Sequence, residues 1–339
     1  MKILLASAER FAGCLVESLL RTGHQVTGVV SPARGIYQRQ YSGPRFMMYD
    51  LRGWDMLKSC TRHQIDHRVS QELDEGSLKA LIKARAPDLL VLFGWPTLVA
   101  AETSSLFPMG ALNIHPSMLP LLRGADPLFT AVDQNAPGFG LSFHKVVDEL
   151  DAGPIYLQLP LHRNANDSYD DLYFKVLEGI YRFLPEALRS VSYQPEGIEQ
   201  KGEPTRITRF QQKMRYLDLN ETIDTLVRRT RACYSHHPRM SATGPHLFTF
   251  AHARLLADRQ DRQDRQDRQD WQSEHATINR TGATSIDITF DHQQVRLGGI
   301  RFPGKPWWGT PMLLRLDLRV GRTLETAETV IQLAKSRGF

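Results

Sequence analysis

The sequence predicts an α/β fold with a doubly wound, mostly parallel sheet, followed by a smaller β-rich domain. The chain opens with a β-α-β pattern: a strand at Lys2 to Ala6, an amphipathic helix at Phe11 to Arg21 and a strand at Gln25 to Val30. That order implies a parallel, right-handed crossover. The run Asp88 to Phe93 is apolar after its first residue, as expected for a buried strand. Beyond residue 205 the apolar segments are short and strand-like, as at Ser285 to Phe290.

Length and composition limit the class of protein. At 339 residues the chain exceeds a usual single domain, so two domains are expected. A hydrophobic fraction of 41% and a charged fraction of 23% exclude a largely disordered chain. The net charge of +5 favours anionic partners such as nucleotides, phosphates or nucleic acid, without choosing among them. The 3 scattered cysteines fit a reducing compartment and supply neither a disulfide framework nor a metal pattern.

The domain organisation follows from changes in composition. We expect a first domain at 1–190, a linker rich in proline and glycine at 191–204, a β domain at 205–318 and a terminal helix at 319–339. The Asp-Arg-Gln repeats at 258–270 have balanced charge and cannot form a core, so they predict a solvated loop. The apolar run at the start is too short for a signal segment, and no stretch is long enough to span a membrane. We therefore expect a cytoplasmic location and no membrane partner.

Three polar side chains give the sequence its candidate chemistry. Asn113 and His115 are two residues apart on a predicted strand and would face the same side. An amide donor for a developing oxyanion and an imidazole for proton transfer suit acyl transfer. Asp151 follows the apolar strand Gly140 to Val147 and would orient the imidazole. Turns after strands are where open α/β sheets place their sites, although a polar strand end without chemistry is the alternative.

Other classes of site fit the sequence less well. The turn after the first strand lacks the G-x-G-x-x-G pattern, which disfavours a dinucleotide-dependent dehydrogenase. Neither Ser117 nor a cysteine forms a recognisable pair with a base, so Ser-His-Asp hydrolysis is a weak alternative. His236 and His237 have no partners at zinc spacing, and no metal site is predicted.

The central stretch resembles a known family. The pattern Asn-x-His-Pro-Ser-x-Leu-Pro-x-x-Arg-Gly ends at Gly124 and is followed by a strand containing His144 and by Asp-x-Gly-x-Ile at 151–155. It resembles the folate-dependent formyltransferases, which include methionyl-tRNA, glycinamide ribonucleotide and nucleotide-sugar formyltransferases. The resemblance covers 1–190 and, more weakly, 203–318. It implies a formyltransferase-like Rossmann variant with an OB-like C-terminal barrel, and Asn113, His115 and Asp151 as the catalytic residues.

The same resemblance implies the ligands. The co-substrate would be 10-formyltetrahydrofolate, with no metal, and the acceptor an amine. Two loops would bind the folate through Phe93, Gly94, Trp95, Thr97, Val146, Val147 and Leu150. The acceptor side would be formed by Arg123, Gly124, Asp126 and His144.

The identity of the acceptor is less constrained. In the transfer-RNA enzymes of this family the loop usually runs Arg-Gly-Ala-Ala-Pro, whereas here Asp126 precedes Pro127. A carboxylate suits a cationic or hydroxyl-rich acceptor, so we favour a small amine such as an amino sugar nucleotide, with transfer RNA as the alternative. Residues 31–58 interleave arginines with aromatic residues, a composition that fits a ligand-contacting and an ordinary surface segment equally well. The resemblance slightly favours contact with the acceptor. A 10-formyltetrahydrofolate hydrolase, an idle binding module and a homodimer also stay open.

Overall fold

The computed structural model describes residues 1–32, 44–70, 82–207, 214, 216–218, 221–233, 240–243, 247–256, 276–290, 293–302 and 323–324. Contacts divide the chain into two compact units. The first comprises 1–131 and 136–209, and the second comprises 132–135 and 210–339. The candidate site lies entirely within the first unit.

A seven-stranded sheet forms the centre of the first unit, in the order β3-β2-β1-β4-β5-β6-β7. Its strands are β1 (Lys2–Ser7), β2 (Gln25–Ser31), β3 (His67–Val69), β4 (Leu89–Phe93), β5 (Ala111–His115), β6 (Gly140–Lys145) and β7 (Ile155–Pro160). The first five strands in this spatial order, β3, β2, β1, β4 and β5, are parallel to one another. Strand β6 is antiparallel to both of its neighbours. The predicted mostly parallel sheet is therefore confirmed, with one antiparallel strand next to the site.

Helices pack against this sheet. They are α1 (Gly13–Arg21), α2 (Pro44–Leu51), α3 (Met56–Arg62), α4 (Ala101–Ser104), α5 (Pro127–Asp133) and α6 (Tyr169–Tyr193). The long helix α6 begins at a capping box, in which the Ser168 side chain accepts from the Asp171 backbone and the Asp171 carboxylate accepts in return. Its apolar residues at helical spacing are buried, as the pattern over Asp170 to Ser190 predicts.

An apolar cluster includes residues of β4 and β5 and lies next to the polar residues of β5. It includes Leu90, Leu92 and Ala111, which are almost fully buried. Trp95 and Val146 are only partly buried and pack against this same cluster. The two loops predicted to bind folate, at 93–97 and 146–150, therefore contact the same buried apolar cluster, one through Trp95 and the other through Val146.

Part of the arginine-rich segment 31–58 is engaged in packing. Arg52 lies over the Trp54 ring at 5.3 Å from its centroid and pairs with Glu178 of α6. Tyr49 stacks on Phe174 with the ring centroids 4.2 Å apart. These contacts hold the described end of the segment against α6, while residues 33–43 lie outside the described part of the chain. Its contact with an acceptor stays a prediction.

The second unit contains helix α7 (Ile223–Ala232) and small antiparallel sheets. Its strands are β8 (Met240–Thr243), β9 (Leu247–Phe250), β10 (His252–Leu255), β11 (Ala276–Thr281), β12 (Ser285–Phe290), β13 (Gln293–Gly298) and β14 (Thr323–Leu324). Five form one sheet in the order β10-β13-β12-β11-β14, and β8 pairs with β9. The β-rich character is thus present, whereas the described residues do not form the expected OB-like barrel.

Two predictions for the C-terminal half can be compared with the structure only in part, because most of their residues lie outside the described ranges. Thr323 and Leu324 fall inside the predicted terminal helix 319–339 but form a strand, because their backbones pair with Thr277 and Ala276 of β11. The repeat tract 258–270 and the rest of 325–339 lie outside the described residues. No helix in the described ranges is long and apolar enough to cross a membrane.

Candidate active site

Strand β5 places Asn113 and His115 on one face of the sheet. Asn113 is opposite Leu92 of β4 on one side and opposite His144 of β6 on the other. His115 follows two residues later and is 5% exposed. The alternation of side chains along a strand brings the amide and the imidazole to the same face, as the sequence predicts.

Asp151 reaches this face from the turn between β6 and β7. Gly153 is required in that turn, because a Cβ there would lie 1.9 Å from the carbonyl oxygen of Lys145. The Asp151 backbone has φ of 53°, in the left-handed region that few residues other than glycine adopt. One carboxylate oxygen accepts from Asn113 Nδ2 at 3.3 Å and the other accepts from the Gly124 backbone N–H at 2.8 Å. The turn therefore presents a carboxylate that the neighbouring loop holds in place.

Hydrogen bonds indicate the tautomer of each imidazole. His144 Nδ1 lies 2.9 Å from the Lys145 carbonyl oxygen, which can only accept, so Nδ1 carries the proton. His144 Nε2 then accepts from Asn113 Nδ2 at 3.0 Å. His115 Nε2 lies 2.9 Å from the Leu122 carbonyl oxygen and donates to it. The remaining nitrogen of His115, Nδ1, faces the Asp151 carboxylate at 3.6 Å.

The Asn113 amide is central to this polar cluster. Its nitrogen has acceptors in His144 Nε2 and Asp151 Oδ1, which match its two N–H groups. Within the described ranges its carbonyl oxygen has no hydrogen-bond partner. The longer of the two contacts, at 3.3 Å to Asp151, is the one that exchanges most easily for a new acceptor.

The two ionisable partners are shifted in different ways. Burial lowers the pKa of His115 below its ordinary 6.5, and Asp151 opposes that shift, so the imidazole is neutral at pH 7. Burial would raise the pKa of Asp151, but His115, His144 and the Gly124 N–H outweigh it and lower the pKa to about 2. At neutral pH the site therefore holds a fixed negative charge beside a neutral imidazole.

The residues predicted to bind folate differ in their exposure and contacts. Trp95 donates through Nε1 to Thr97 Oγ1 at 3.0 Å. Leu150, which precedes Asp151, is 44% exposed. Of the remaining predicted residues, Phe93 is buried, Gly94 is exposed and Val147 is half-buried. Their contact with a folate stays a prediction.

Residues predicted for the acceptor side differ in their surroundings. Arg123 donates to Gln200 Oε1 from both Nε and Nη2, at 3.2 and 2.7 Å, and to Glu149 at 3.3 Å. Gly124 donates its backbone N–H to Asp151. Asp126 is half-buried and immediately precedes α5, with φ of 62°. His144 lies in the polar cluster itself and is 2% exposed.

The structure adds groups that sequence reasoning did not identify. The Leu122 carbonyl oxygen orients His115, and Gln200 contacts the turn that carries Asp151. Neither has a sequence signal, since a backbone carbonyl is present at every residue and Gln200 lies in a stretch that reads as a linker. In the described part of the chain, no group of three or more His, Cys, Asp or Glu side chains is arranged to hold a metal ion.

Fold and site together define an α/β protein whose central sheet carries an amide, two imidazoles and a carboxylate in one polar cluster. A model of the formyl transferase family matches residues 20–188. Through these residues the chain belongs to the formyl transferase family.

Relatives among curated proteins share this part of the chain. Methionyl-tRNA formyltransferase of Thermotoga maritima is 26% identical over 191 residues, which cover 56% of this chain and 58% of that protein. The enzyme of the same name from Borrelia hermsii is 27% identical over 241 residues, covering 69% and 72%. This chain thus spans less than two thirds of the Thermotoga maritima relative.

Solved structures with a similar fold cover more of the chain. One is an N-formyltransferase from Helicobacter canadensis in complex with folinic acid and dTDP-3-aminofucose, with a TM-score of 0.60 and 16% identity, covering 88% of this chain and 99% of that one. Another is HypX from Aquifex aeolicus, with a TM-score of 0.58 and 16% identity, covering 90% of this chain and 46% of that one. At these identities the likeness concerns the fold.

The pH dependence of stability should show the influence of Asp151. Its pKa is about 2 in the folded protein against 3.8 ordinarily, so the unfolded chain binds the proton first as pH falls. Its stabilisation is fully present above pH 3.8 and is lost as pH falls toward 2. In urea unfolding, the difference in free energy between wild type and Asp151→Asn should shrink by about 2 kcal/mol between pH 5 and 2. A difference independent of pH would contradict this assignment.

Proposed function

We propose that this protein is an N-formyltransferase that moves a formyl group from 10-formyltetrahydrofolate to an amine. The observation that carries the proposal is the convergence of Asn113, His115, His144 and Asp151 beside the apolar cluster that Trp95 and Val146 contact. Membership of the formyl transferase family supports it. So does the solved Helicobacter canadensis neighbour, whose complex contains folinic acid.

The residues would hold the co-substrate in the following way. The flat ring of a folate would lie between the loops that carry Trp95 and Val146, with the exposed Leu150 at its edge. When bound, 10-formyltetrahydrofolate supplies the formyl group. The polar cluster would then lie beside the reacting carbon, because Asn113 is opposite Leu92, which belongs to the apolar cluster that Trp95 and Val146 contact.

Asn113 would act on the formyl oxygen. As the amine attacks the carbon, the oxygen gains negative charge, and an N–H of Asn113 turns from Asp151 Oδ1 to donate to it. A donor placed for a developing oxyanion contributes about 3 kcal/mol to the transition state. The bond from carbon to the folate nitrogen then breaks, the amine loses one proton and that nitrogen gains one.

Asp151 and His115 would have different roles in stabilising charge and in moving the proton. With a pKa of about 2, Asp151 is too weak a base to take a proton from an amine near neutral pH, so its charge orients Asn113 and favours positive charge on the attacking nitrogen. His115 is neutral, and its Nδ1 faces the carboxylate at 3.6 Å. In this proposal that nitrogen takes up the amine proton beside Asp151 and returns it to the leaving nitrogen.

For the acceptor we propose a small amine, such as an amino sugar on a nucleotide. The carboxylate of Asp126, half-buried at the start of α5, suits a cationic or hydroxyl-rich group rather than a phosphate backbone. Methionyl-tRNA is the second candidate, because curated relatives at 26 to 30% identity carry that name.

A direct assay tests the proposal. The protein is incubated with 10-formyltetrahydrofolate and, separately, with amino sugar nucleotides, amino acids and methionyl-tRNA, while tetrahydrofolate release and the mass of the formylated product are measured. We expect release that depends on the acceptor and is fastest with an amino sugar nucleotide. Formylation of methionyl-tRNA alone would replace our acceptor with the second candidate. Release of formate without acceptor at a similar rate would indicate a hydrolase and overturn the proposal.

A further inference from the structure

Residues 198–207 lie along both loops that build the polar cluster. Ile198 and Ile155 exchange backbone hydrogen bonds of 2.7 and 2.9 Å at the start of β7. Further along, Arg123 donates its backbone N–H to the Thr205 carbonyl oxygen at 2.9 Å, and Ile207 donates to the Arg123 carbonyl oxygen at 2.9 Å. This stretch, which we call segment 198–207, pairs with the turn that carries Asp151 and with the loop 120–124. Its first residues belong to the stretch that the sequence predicts as a linker.

Gln200 connects the two loops through a single side chain. Its amide nitrogen donates to the carbonyl oxygens of Asp151 and Gly153 at 2.8 and 2.9 Å. Its amide oxygen accepts from Nε and Nη2 of Arg123. The Gln200 amide nitrogen thus donates two hydrogen bonds and the amide oxygen accepts two. In this orientation the side chain uses its full hydrogen-bonding capacity.

The backbone conformations at the contact points need such support. Asp151 has φ of 53° and Leu122 has φ of 59°, both in a region that is costly for residues with a Cβ. Leu122 donates its N–H to Thr205 Oγ1 at 2.8 Å, so segment 198–207 holds this strained residue directly. These two residues carry the groups on which the site depends: the Asp151 carboxylate and the Leu122 carbonyl oxygen that orients His115.

We propose that Gln200 is a positioning residue, which fixes the Asp151 turn and, through Arg123, the loop 120–124 in the geometry that the polar cluster requires. The inference rests on the proposed formyl transfer. Gln200 touches no reacting group, so its effect is exerted through Asp151 and His115. A displacement of about 1 Å at a reacting group lowers the rate by as much as a hundredfold.

The test uses two variants of the full-length protein and one control. Gln200→Ala removes both the amide donors to the Asp151 turn and the amide oxygen that accepts from Arg123. Gln200→Glu keeps an acceptor for Arg123 but loses the donors to the two carbonyl oxygens. The control is Glu199→Ala, which truncates the exposed neighbouring side chain. We expect kcat to fall about tenfold to a hundredfold in both Gln200 variants, KM for folate and acceptor to change less than threefold, and the control to match wild type.

A second measurement does not depend on turnover. The imidazole pKa of His115 is measured by NMR titration in wild type and in both Gln200 variants, with Asp151 and His144 as the titratable groups facing it. Displacement of Asp151 should shift that pKa, whereas Glu199→Ala should leave it unchanged. If Gln200→Ala does not fold, Gln200→Glu decides the question alone.

The outcomes separate the two proposals. If wild type transfers no formyl group to any amine, the proposed function fails, and the NMR titration still tests the positioning role. Should wild type be active while both Gln200 variants keep its kcat and its His115 pKa, the positioning role is overturned. Wild-type activity in Gln200→Glu alone would likewise overturn it, because that variant lacks the donors to the Asp151 turn.

Discussion

Replacing Asn113 with alanine is expected to lower kcat for formyl transfer by about two to three orders of magnitude, with the Kd for folate nearly unchanged. The hydrogen bond from the amide N–H strengthens as negative charge develops on the formyl oxygen. Its loss therefore destabilises the transition state more than the bound ground state. Single-turnover rates with saturating folate measure the first quantity. Tryptophan fluorescence, to which the partly buried Trp95 contributes, measures the second.

Two further variants separate the donor from the volume of the side chain. Asn113→Asp keeps the shape but places a second carboxylate beside Asp151, so it should lose at least as much activity as the alanine variant. Asn164→Ala truncates an exposed amide outside the site and should match wild type. A folded Asn113→Ala variant within tenfold of the wild-type rate would show that the amide does not stabilise the transition state.

Replacing Asp151 with asparagine is expected to lower kcat by about two orders of magnitude or more, although the volume hardly changes. The carboxylate accepts from Asn113 with one oxygen and from the Gly124 N–H with the other. An asparagine has a single acceptor oxygen, so one of these partly buried donors loses its partner. The substitution also removes the negative charge that faces His115 Nδ1.

The matched control is Asp167→Asn. Asp167 is another carboxylate with a lowered pKa: burial would raise that pKa, but hydrogen bonds from Lys175 and Asn164, outside the site, outweigh it. Its replacement should leave kcat within about twofold of wild type, which separates loss of a charge in the site from loss of a charge anywhere. If both aspartate variants lost activity equally, general destabilisation would explain the result better than the chemistry we propose. Comparing their unfolding free energies decides between the two explanations.

Several features of this protein could be predicted from the sequence because they depend on local patterns. The β-α-β opening and the apolar run ending at Phe93 predict parallel strands, and the structure places them side by side in the sheet. The two-residue spacing of Asn113 and His115 fixes their common face, since side chains alternate along any strand. The glycine at 153 marks the tight turn that presents Asp151, because a larger residue would collide with Lys145.

Other features depend on the register of distant segments, which no local pattern encodes. His144 meets Asn113 because β6 runs antiparallel to β5 with those two residues opposite each other, and a shift of one residue would turn His144 to the other face. Gly124 and Leu122 contribute backbone groups, which every residue possesses, so only their position makes them part of the site. Gln200 reads as a linker residue, and only the folded chain brings it to the Asp151 turn. The sequence by itself thus determined which side chains we propose for the chemistry, whereas the tertiary structure decided what orients them, because hydrogen bonds between remote backbones depend on pairing rather than on residue type.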